Sequence, residues 1–587
     1  MRGSDLVIHM LLGYKVEVVF GVPGDTNVPL YHSLREKQTD LRHVMARDER
    51  SAGYMADAYA RLTNRPGVVE VPSGAGAMYV LPCVAEANES SVPMIVITSD
   101  TPLSGEDRGV ITELDCAELF RPVTKASWLI KSAKRIPDTM RRAFRIATSG
   151  RPGAVHMAIP EDILNEVVEL SEVSLHPEPH HGIFPAYPSG PSDGDLLTLL
   201  ELIGAAQRPL FVAGGGTNRS GAGAQLLQLA ERMGMPIVNS ITGQTAVPDS
   251  HPLAIGVIGD NGFHPHANRA MEEADLVIYW GCRVGSVVSI GWTFPTPSAE
   301  RKIVQIDIDP TAIGNNTENT LSLCGDVGFV ADRLSELLTE PMKVPSEWVE
   351  RLNLWRAEFW SKATAEMSDA SLPLRPQRVV KAFNQRLSGP FHIFSDPGTP
   401  TPHMTRLLRT DDAATKFIIP RAYGGLGYAI PATVGAWMAN PHIRPVGLFG
   451  DGSFGMVCGE LETLVRLNVP ALLIHFNNGC YGWIKALQRL HGHNSTFSVD
   501  FLQLNAAAIA EAFGLRAWRV VDEESLERAF DEAFAFAGPS FIDIAVESIA
   551  DVVPPVVSWL RRAGRDPFSL LPQSDIRLAT LPQSHIG

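Results

Sequence analysis

Two short motifs in the last third of the chain carry residue types suited to metal-assisted phosphate chemistry. Gly450-Asp451-Gly452-Ser453 follows one apolar run, and Asn477-Asn478 ends the next. Neighbouring parallel strands joined by a crossover helix end at the same edge of their sheet, so Asp451 and Asn478 should share one crevice. Carboxylate and amide oxygens suit Mg²⁺, and glycines let the backbone approach a phosphate closely. Either motif alone could be a turn or a loop cap that merely closes a strand.

The elements that would position these motifs recur along the chain. Short apolar runs rich in Val, Ile and Phe alternate with helical patterns, which is typical of parallel sheets covered by helices. The predicted strands are residues 18–20, 42–45, 68–71, 94–98, 154–159, 209–213, 236–239, 276–280, 303–306, 392–395, 446–449, 471–476 and 541–546. The sequence therefore predicts an α/β fold with three doubly wound parallel-sheet domains in one chain.

Stretches without periodicity indicate the domain boundaries. Residues 173–194 combine Pro, Gly, Ser and His as a linker does, and a polar connector covers 341–375. We expect domains at 1–170, 195–345 and 376–548, followed by a Pro-rich C-terminal tail at 549–587. The tail could fold over the site or pack on the surface.

Composition disfavours several classes of protein. The formal net charge of -15 comes without clusters of Lys and Arg, which disfavours nucleic-acid binding. Six widely spaced cysteines without a CxxC pair indicate neither a zinc knuckle nor a disulfide framework, so we expect a cytoplasmic protein. The apolar stretch 417–439 has the length of a membrane helix, but its prolines, glycines and Arg421 predict a buried strand, a turn and a core helix. No membrane contact is expected.

The segment GDGSFGMVCGELETLVRLNVPALLIHFNNGCYG at 450–482 closely resembles the diphosphate-binding signature of thiamine diphosphate enzymes, in the acetolactate-synthase-like branch. This resemblance implies pyrimidine-binding, central and diphosphate-binding domains, in chain order. It also implies that Mg²⁺ is bound by Asp451, Asn478 and the main-chain carbonyl of Cys480. The implied cofactor contacts of this segment are Gly450, Gly452, Ser453, Asn478, Tyr481 and Gly482.

Glu49 is implied to be the catalytic carboxyl group. The segment 47–61 resembles the family's strand-to-helix junction, whose glutamate hydrogen-bonds the aminopyrimidine ring of the cofactor and promotes its imino tautomer. For an isolated glutamate, a first-turn position stabilised by the helix dipole would be the simpler interpretation. Relatives commonly have His at the preceding position, which is Asp48 here, so an auxiliary acid–base role there is doubtful.

Three further segments resemble cofactor-binding parts of the family. Pro23 and Gly24 lie in the turn expected beside the pyrimidine. Gly425 and Leu426 lie in a loop whose bulky apolar residue props the cofactor in its bent shape, although Leu426 could equally be plain core. The segment 396–400 replaces the Gly-Gln-His of relatives, leaving Gly398 and Thr399 as the expected diphosphate contacts.

Three functions remain open. A carboligase would decarboxylate a small 2-oxo acid such as pyruvate and transfer the activated aldehyde to a second carbonyl acceptor. A decarboxylase or related carbon–carbon lyase would release the aldehyde. A non-catalytic homologue would have little reason to retain Glu49, Asp451 and Asn478 together. We expect the carboligase.

The expected substrate pocket departs from that of ordinary acetohydroxyacid synthases. Ile111 and Thr112 stand where those enzymes carry Phe-Gln, and Ala486 and Leu487 stand where they carry Gln-Trp. A missing polar partner can change selectivity by orders of magnitude, so a standard branched-chain amino-acid role is disfavoured. The candidate substrate contacts are Thr112, Lys125, Trp483 and Ile484, with Lys125 either holding an anionic group or lying on the surface.

The resemblance also bears on cofactors and partners. The segment 281–286 lacks the family's flavin-contacting Asp-Arg pair, so FAD is not expected. The expected cofactors are thiamine diphosphate and Mg²⁺, and the expected partners are small molecules and further copies of the chain. In the family, the first domain of one subunit faces the third domain of another, which implies a homodimer or homotetramer.

Overall fold

The computed structural model describes residues 1–491 and 495–568. The chain folds into two compact units. One comprises Met1–Tyr187, Pro420–Gly447 and Gly455–Ala471, and the other comprises the rest of the described chain. Their strands form three six-stranded sheets. Of the C-terminal tail expected at 549–587, the part after residue 568 lies outside the described residues.

The first sheet has the strand order β2-β1-β3-β4-β6-β5, and all its neighbouring strands run parallel. Its strands are β1 (Val18–Gly21), β2 (Arg42–Met45), β3 (Gly67–Pro72), β4 (Met94–Asp100), β5 (Ala126–Leu129) and β6 (Ala154–Pro160). The helices of this part are α1 (Gly3–Gly13), α2 (Val28–Glu36), α3 (Glu49–Thr63), α4 (Ala75–Glu89), α5 (Cys116–Phe120), α6 (Ile136–Thr148) and α7 (Glu161–Asn165). Strands β4 and β6 are buried throughout because helices cover both faces of the sheet.

The second sheet is also parallel, with the order β12-β11-β10-β7-β8-β9. Its strands are β7 (Pro209–Ala213), β8 (Ile237–Asn239), β9 (Ala254–Val257), β10 (Leu276–Trp280), β11 (Lys302–Asp307) and β12 (Leu321–Cys324). The accompanying helices are α8 (Asp193–Ala205), α9 (Gly215–Arg219), α10 (Gly223–Met233), α11 (Pro265–Glu273), α12 (Val327–Leu337) and α13 (Ser346–Glu366).

The third sheet has the order β14-β13-β15-β16-β18-β17. Its strands are β13 (Phe391–Ser395), β14 (Lys416–Ile418), β15 (Arg444–Gly450), β16 (Leu472–Asn477), β17 (Arg516–Val520) and β18 (Ser540–Ala545). The remaining helices are α14 (Pro376–Asn384), α15 (Pro400–Leu407), α16 (Ala429–Ala439), α17 (Asp451–Val457), α18 (Leu461–Arg466), α19 (Gly482–His491), α20 (Ala506–Ala512), α21 (Glu523–Ala535) and α22 (Val557–Arg562).

The predicted fold class is confirmed by three parallel-sheet layers with flanking helices. The first and third sheets share one order, in which the second strand lies outside the first and the third strand lies on the first strand's other side. The chain therefore changes its winding direction between the first and third strands of each sheet. Such switch points leave a crevice at the carboxyl ends of the strands, where α/β proteins bind ligands.

The apolar stretch 417–439 forms the expected strand, turn and core helix, namely β14, a Gly-rich loop and α16. No helix in the described part of the chain is long and apolar enough to cross a membrane.

The linker segment is held in place without a strand or long helix: Glu178 N donates to the Tyr14 hydroxyl, and Phe184 N donates to Asn64 O. The exact domain boundaries stay a prediction.

Candidate active site

The metal-binding candidates lie at the switch point of the third sheet. Strand β13 ends just before Asp396, β15 ends at Gly450 and β16 ends at Asn477. Asp396 N donates to Leu448 O at 2.9 Å, so the ends of β13 and β15 lie side by side. The loops after these three strands therefore open at one edge of the sheet, as the spacing of the motifs predicted.

The three predicted metal ligands converge. Asp451 Oδ2 accepts a hydrogen bond from Asn478 N at 2.9 Å. One terminal atom of the Asn478 side-chain amide lies 3.2 Å from Asp451 Oδ2 and 3.1 Å from the Cys480 carbonyl oxygen, and the other lies 3.1 Å from Thr399 Oγ1. Two acceptor oxygens thus face one amide group. A carboxylate, an amide and a carbonyl within this reach are a donor set that fits a hard divalent cation.

Glycines beside these ligands leave space for a phosphate. Gly398 and Gly479 both have positive φ angles, 131° and 67°, and a Cβ atom at either would meet nothing within 4 Å. At Gly482 a Cβ would lie only 3.0 Å from the side-chain amide of Asn478 and 3.2 Å from Thr399 Oγ1. A side chain at these positions would fill or crowd the edge where a diphosphate would lie.

A buried network behind Asp451 was not predicted from the sequence. His475 Nδ1 lies 2.9 Å from Asp543 Oδ1, and His475 Nε2 lies 3.7 Å from Asp451 Oδ1. Burial raises the pKa of Asp451, and the nearby His475 opposes that rise. Burial also favours a higher pKa for Asp543, but hydrogen bonds from His475 and Asn477 hold its pKa below the ordinary value. The available signal was a histidine inside the otherwise apolar run of β16.

Glu49 begins helix α3 in the other unit. The Asp48 carboxylate caps this helix by accepting from Arg50 N at 2.9 Å and Ser51 N at 3.4 Å. This explains an aspartate where relatives commonly have histidine, because Asp is among the preferred N-cap residues. Burial raises the pKa of Glu49, and the charges of Asp48 and Glu70 add to the rise.

The Gly-rich loop before α16 packs on the same helix. Helix α16 lies against α3, and a Cβ at Gly425 would stand 2.5 Å from the Tyr54 hydroxyl. Leu426 is half-buried. A Cβ at Gly76, on α4, would lie 3.2 Å from Glu49 Oε1. Within this unit, the structure therefore gathers the predicted wedge loop and small residues around the helix that Glu49 begins.

Glu70 connects the predicted pyrimidine-side turn to the core, and the sequence analysis missed it. This carboxylate is fully buried and accepts from Asn27 Nδ2 at 2.8 Å and the Tyr31 hydroxyl at 2.6 Å. Asn27 Oδ1 in turn accepts from Gly24 N at 2.8 Å. Burial and the Glu70 charge raise the pKa of Tyr31, which stays a hydrogen-bond donor. A glutamate inside the apolar run of β3 was the overlooked signal.

Glu460 is a second buried carboxyl group near the start of α3. It is 1% exposed, accepting from Arg47 N and from Thr463 Oγ1 at 2.8 Å each. These bonds fix the chain two residues before Glu49. Burial raises the pKa of Glu460 to about 7, against the hydrogen bonds from Thr463 and Arg47.

We expect Glu460→Gln to remove a pH dependence of stability. Because the folded chain binds this proton more tightly than the unfolded chain does, stability falls as pH rises from about 4.5 towards about 7. The free energy of unfolding should fall by roughly 2 kcal/mol between about pH 5.5 and 7.5 through this group, and the glutamine variant should lack that component. Urea unfolding at the two pH values measures it.

Glu462→Gln is the matched control, because Glu462 lies two residues away in an exposed ion pair with Arg466. This control should keep the wild-type pH dependence. If the Glu460 and Glu462 variants share one pH profile, the assignment of the buried proton to Glu460 is wrong.

The four candidate substrate residues have different surroundings in the structure. Thr112, with φ 67°, has its hydroxyl 2.7 Å from Ser73 Oγ. Lys125 Nζ donates to backbone carbonyls that include Ser149 O at 2.9 Å and Arg151 O at 2.7 Å. A substrate contact by Lys125 would have to replace such bonds, and it stays a prediction.

The other two candidates lie on α19. Ile484 is 47% exposed. The Trp483 ring lies 4.4 Å from the ring of Trp559, a residue of the C-terminal segment. The neighbouring Tyr481 ring meets Phe501 edge to face at 4.5 Å.

The predicted residues fall into two groups, one in each unit. One unit holds Pro23, Gly24, Glu49, Thr112, Lys125, Gly425 and Leu426. The other holds Gly398, Thr399, Gly450, Asp451, Gly452, Ser453, Asn478, Cys480, Tyr481, Gly482, Trp483 and Ile484. One group includes Glu49, the candidate activating carboxyl group, and the other includes the candidate metal ligands Asp451, Asn478 and Cys480.

Comparisons with known proteins divide the chain into three domains of one enzyme family. Residues 1–119 match the N-terminal thiamine-pyrophosphate-binding domain of thiamine pyrophosphate enzymes, 196–334 match the central domain and 396–544 match the C-terminal binding domain. A probable acetolactate synthase large subunit of Methanocaldococcus jannaschii is 31% identical, over 95% of this chain and 93% of the relative. The acetolactate synthase large subunit of Haemophilus influenzae is 30% identical, and isozyme 3 of Escherichia coli is 29% identical, each over 94% of this chain and 96% of the relative.

Proposed function

The chain belongs to the thiamine pyrophosphate enzymes, in the acetolactate-synthase-like branch, and from this premise we propose a carboligase that uses pyruvate or a similar 2-oxo acid. It removes CO₂ from this donor and transfers the remaining aldehyde unit to a second carbonyl compound. The observation that carries the proposal is similarity to acetolactate synthase large subunits along nearly the whole chain. The convergence of Asp451, Asn478 and the Cys480 carbonyl supports it.

The residues at the third sheet's edge would hold Mg²⁺ and the diphosphate. We assign the metal to Asp451, Asn478 and the Cys480 carbonyl. The diphosphate contacts we assign are Gly398, Thr399, Gly450, Gly452, Ser453, Tyr481 and Gly482. Their chemistry fits, because the donor set is all oxygen and the open glycines leave room for phosphate. Since the pattern for FAD contact is absent from 281–286, FAD is not part of the proposal.

Glu49 would hold the proton that activation of the cofactor requires and share it with the aminopyrimidine ring. Bound thiamine diphosphate would supply a nucleophilic thiazolium carbon and an electron sink for decarboxylation. A carboxyl group with a raised pKa keeps its proton to higher pH and can donate a hydrogen bond to a ring nitrogen. We assign Pro23 and Gly24 to the pyrimidine side and Gly425 and Leu426 to support of the bent cofactor.

The acceptor pocket sets which product forms. Ala486, where relatives have a larger polar residue, is fully buried, whereas Ile111 is 84% exposed. We propose that Thr112, Trp483 and Ile484 face the substrates, with Lys125 as a further candidate. A pocket without the usual polar pair should select an acceptor other than that of a standard branched-chain pathway.

The product of pyruvate tests the proposal. The purified chain with pyruvate, thiamine diphosphate and Mg²⁺ should release CO₂ and form a hydroxyketone or a 2-hydroxy-3-oxo acid, with yields that rise when an aldehyde or a second 2-oxo acid is added. Mass spectrometry with ¹³C-labelled pyruvate identifies the product, and a sample without thiamine diphosphate is the control. Release of acetaldehyde alone, whatever the acceptor, would replace the carboligase by a decarboxylase.

The assembly and location follow from the same proposal. We propose a homodimer as the smallest working unit and a homotetramer as the next. The relatives are named large subunits, so a smaller subunit is a further partner to test. The domain boundaries at 1–170, 195–345 and 376–548 and a cytoplasmic location are part of this proposal. Sedimentation velocity with and without cofactor measures the oligomeric state.

A further inference from the structure

We propose that Glu178, His180 and His181 form a second metal site, which binds a divalent transition-metal ion such as Zn²⁺. One ligand atom from each of these residues lies within 4.8 Å of the other two. The site is in the linker segment, in and just before a short 3-10 helix at Pro179–Gly182, and it shares no residue with the proposed Mg²⁺ site. Nitrogen ligands favour Zn²⁺ over Mg²⁺, which prefers oxygen.

His181 presents a nitrogen lone pair towards the cluster. This side chain is 1% exposed, and its Nδ1 lies 3.2 Å from Thr148 Oγ1. The Thr148 hydroxyl donates its only proton to Phe144 O at 2.9 Å, so it accepts from Nδ1–H. In a neutral imidazole, Nε2 then carries no proton. It is the nitrogen that can bind a metal.

That lone pair faces a carboxylate. His181 Nε2 lies 3.5 Å from Glu178 Oε2, which is close to the separation of two ligand atoms that each bind one tetrahedral Zn²⁺ at about 2.1 Å.

Neighbouring side chains orient the ligands. Arg145 donates to both Glu178 oxygens, from Nη2 to Oε1 at 2.6 Å and from Nε to Oε2 at 3.2 Å. A metal at Oε2 would replace the longer bond, while the shorter one would keep holding Oε1, as outer-shell partners of metal-bound carboxylates do. The exposed His180 contacts the Tyr187 hydroxyl through Nε2, and its ring centroid lies 4.4 Å from that of His181. The Arg145 charge should weaken the site, which makes moderate affinity the expectation.

A bound ion would fasten the linker to α6. Thr148 and Arg145 belong to that helix, and Ala186 N also donates to Thr148 O at 3.4 Å. Because the ion would bind only the folded arrangement, it should raise the melting temperature of the first unit. The inference does not depend on the proposed carboligase activity.

Zn²⁺ titration of the full chain tests the site. With Mg²⁺ and thiamine diphosphate saturating, isothermal titration calorimetry should show one Zn²⁺ per chain with a Kd below about 100 µM. His180→Ala and His181→Gln should each weaken this binding at least about tenfold. His180 is exposed, so its variant separates ligand loss from misfolding. His9→Ala, an exposed histidine outside the cluster, is the matched control and should bind as wild type does.

Co²⁺ gives an independent spectroscopic readout. Binding should produce d–d absorption bands in the wild type that are lost in the His180 and His181 variants and retained in the His9 variant. Absence of saturable Zn²⁺ binding in the wild type, or equal Zn²⁺ affinity in the wild type and both cluster variants, would overturn the site.

Discussion

Glu49→Gln should reduce turnover by about 10²- to 10⁴-fold, because a positioned proton donor and acceptor typically contributes that much to rate. Gln keeps the size and one hydrogen-bonding oxygen but cannot exchange a proton. Thiamine diphosphate affinity should stay within about threefold of wild type, because the glutamine amide can still hydrogen-bond the ring. Single-turnover kinetics measure the chemical step, and quenching of tryptophan fluorescence measures cofactor binding.

The stability of this variant should not fall. Burial, Asp48 and Glu70 all disfavour the ionised form of Glu49, so a neutral amide relieves an unfavourable environment. Glu17→Gln, an exposed carboxylate in the same unit, is the control for a change of net charge and should keep wild-type turnover. Turnover of the Glu49 variant within about threefold of wild type would remove Glu49 from the catalytic role.

The sequence predicted the strands that lie inside the sheets better than those at their edges. The four strands it missed are β5, β9, β12 and β17, and each is the outermost strand of its sheet. Three of them, β5, β12 and β17, are only partly buried, so their sequences lack the continuous apolar run of a strand covered on both faces. The fourth, β9, is buried but contains Gly256 with a φ of 134°, which weakens a strand pattern.

The site could be predicted where it consists of residues close in sequence. Asp451 and Asn478 end adjacent strands of one crossover unit, so their convergence follows from topology alone. Glu70 and Glu460 are different, because their partners are distant along the chain: Asn27 for one and Arg47 for the other. A single charged residue in an apolar run predicts a polar partner, because a buried charge needs one. It does not identify which residue that partner is.

The linker segment is a further place where partners distant along the chain could not be predicted. Its Pro, Gly and His content predicted an irregular connection, and the structure agrees in having no strand between α7 and α8. Irregular sequence did not predict that Glu178, His180 and His181 would meet, because that meeting depends on α6. Thr148 and Arg145 of that helix fix His181 and Glu178 from more than thirty residues away. Long-range packing thus determines what a low-periodicity segment can bind.

Asp451→Ala should abolish turnover by weakening Mg²⁺-dependent cofactor binding at least about 100-fold, a larger loss than a supporting residue would give. Asp451 is the only charged group among the three proposed ligands, and without it Asn478 N loses its acceptor at 2.9 Å. An unsatisfied buried N–H costs about 1–3 kcal/mol, so Asp451→Asn serves as the second variant, because its amide oxygen can still accept that bond. Titrating thiamine diphosphate at several Mg²⁺ concentrations measures both affinities.

The two Asp451 variants separate metal binding from folding. Asp451→Asn should keep the wild-type melting temperature without cofactor and still lose most Mg²⁺-dependent binding, because a neutral amide replaces a carboxylate that attracts the cation. Asp531→Ala, which removes an exposed carboxylate in an ion pair with Arg386, should leave cofactor binding unchanged. If Asp451→Asn binds Mg²⁺ and thiamine diphosphate as tightly as wild type, the cation is not bound at the β15–β16 edge. Glu49→Gln provides the contrast between the two proposed roles, since that variant should bind the cofactor and fail only in the chemical step.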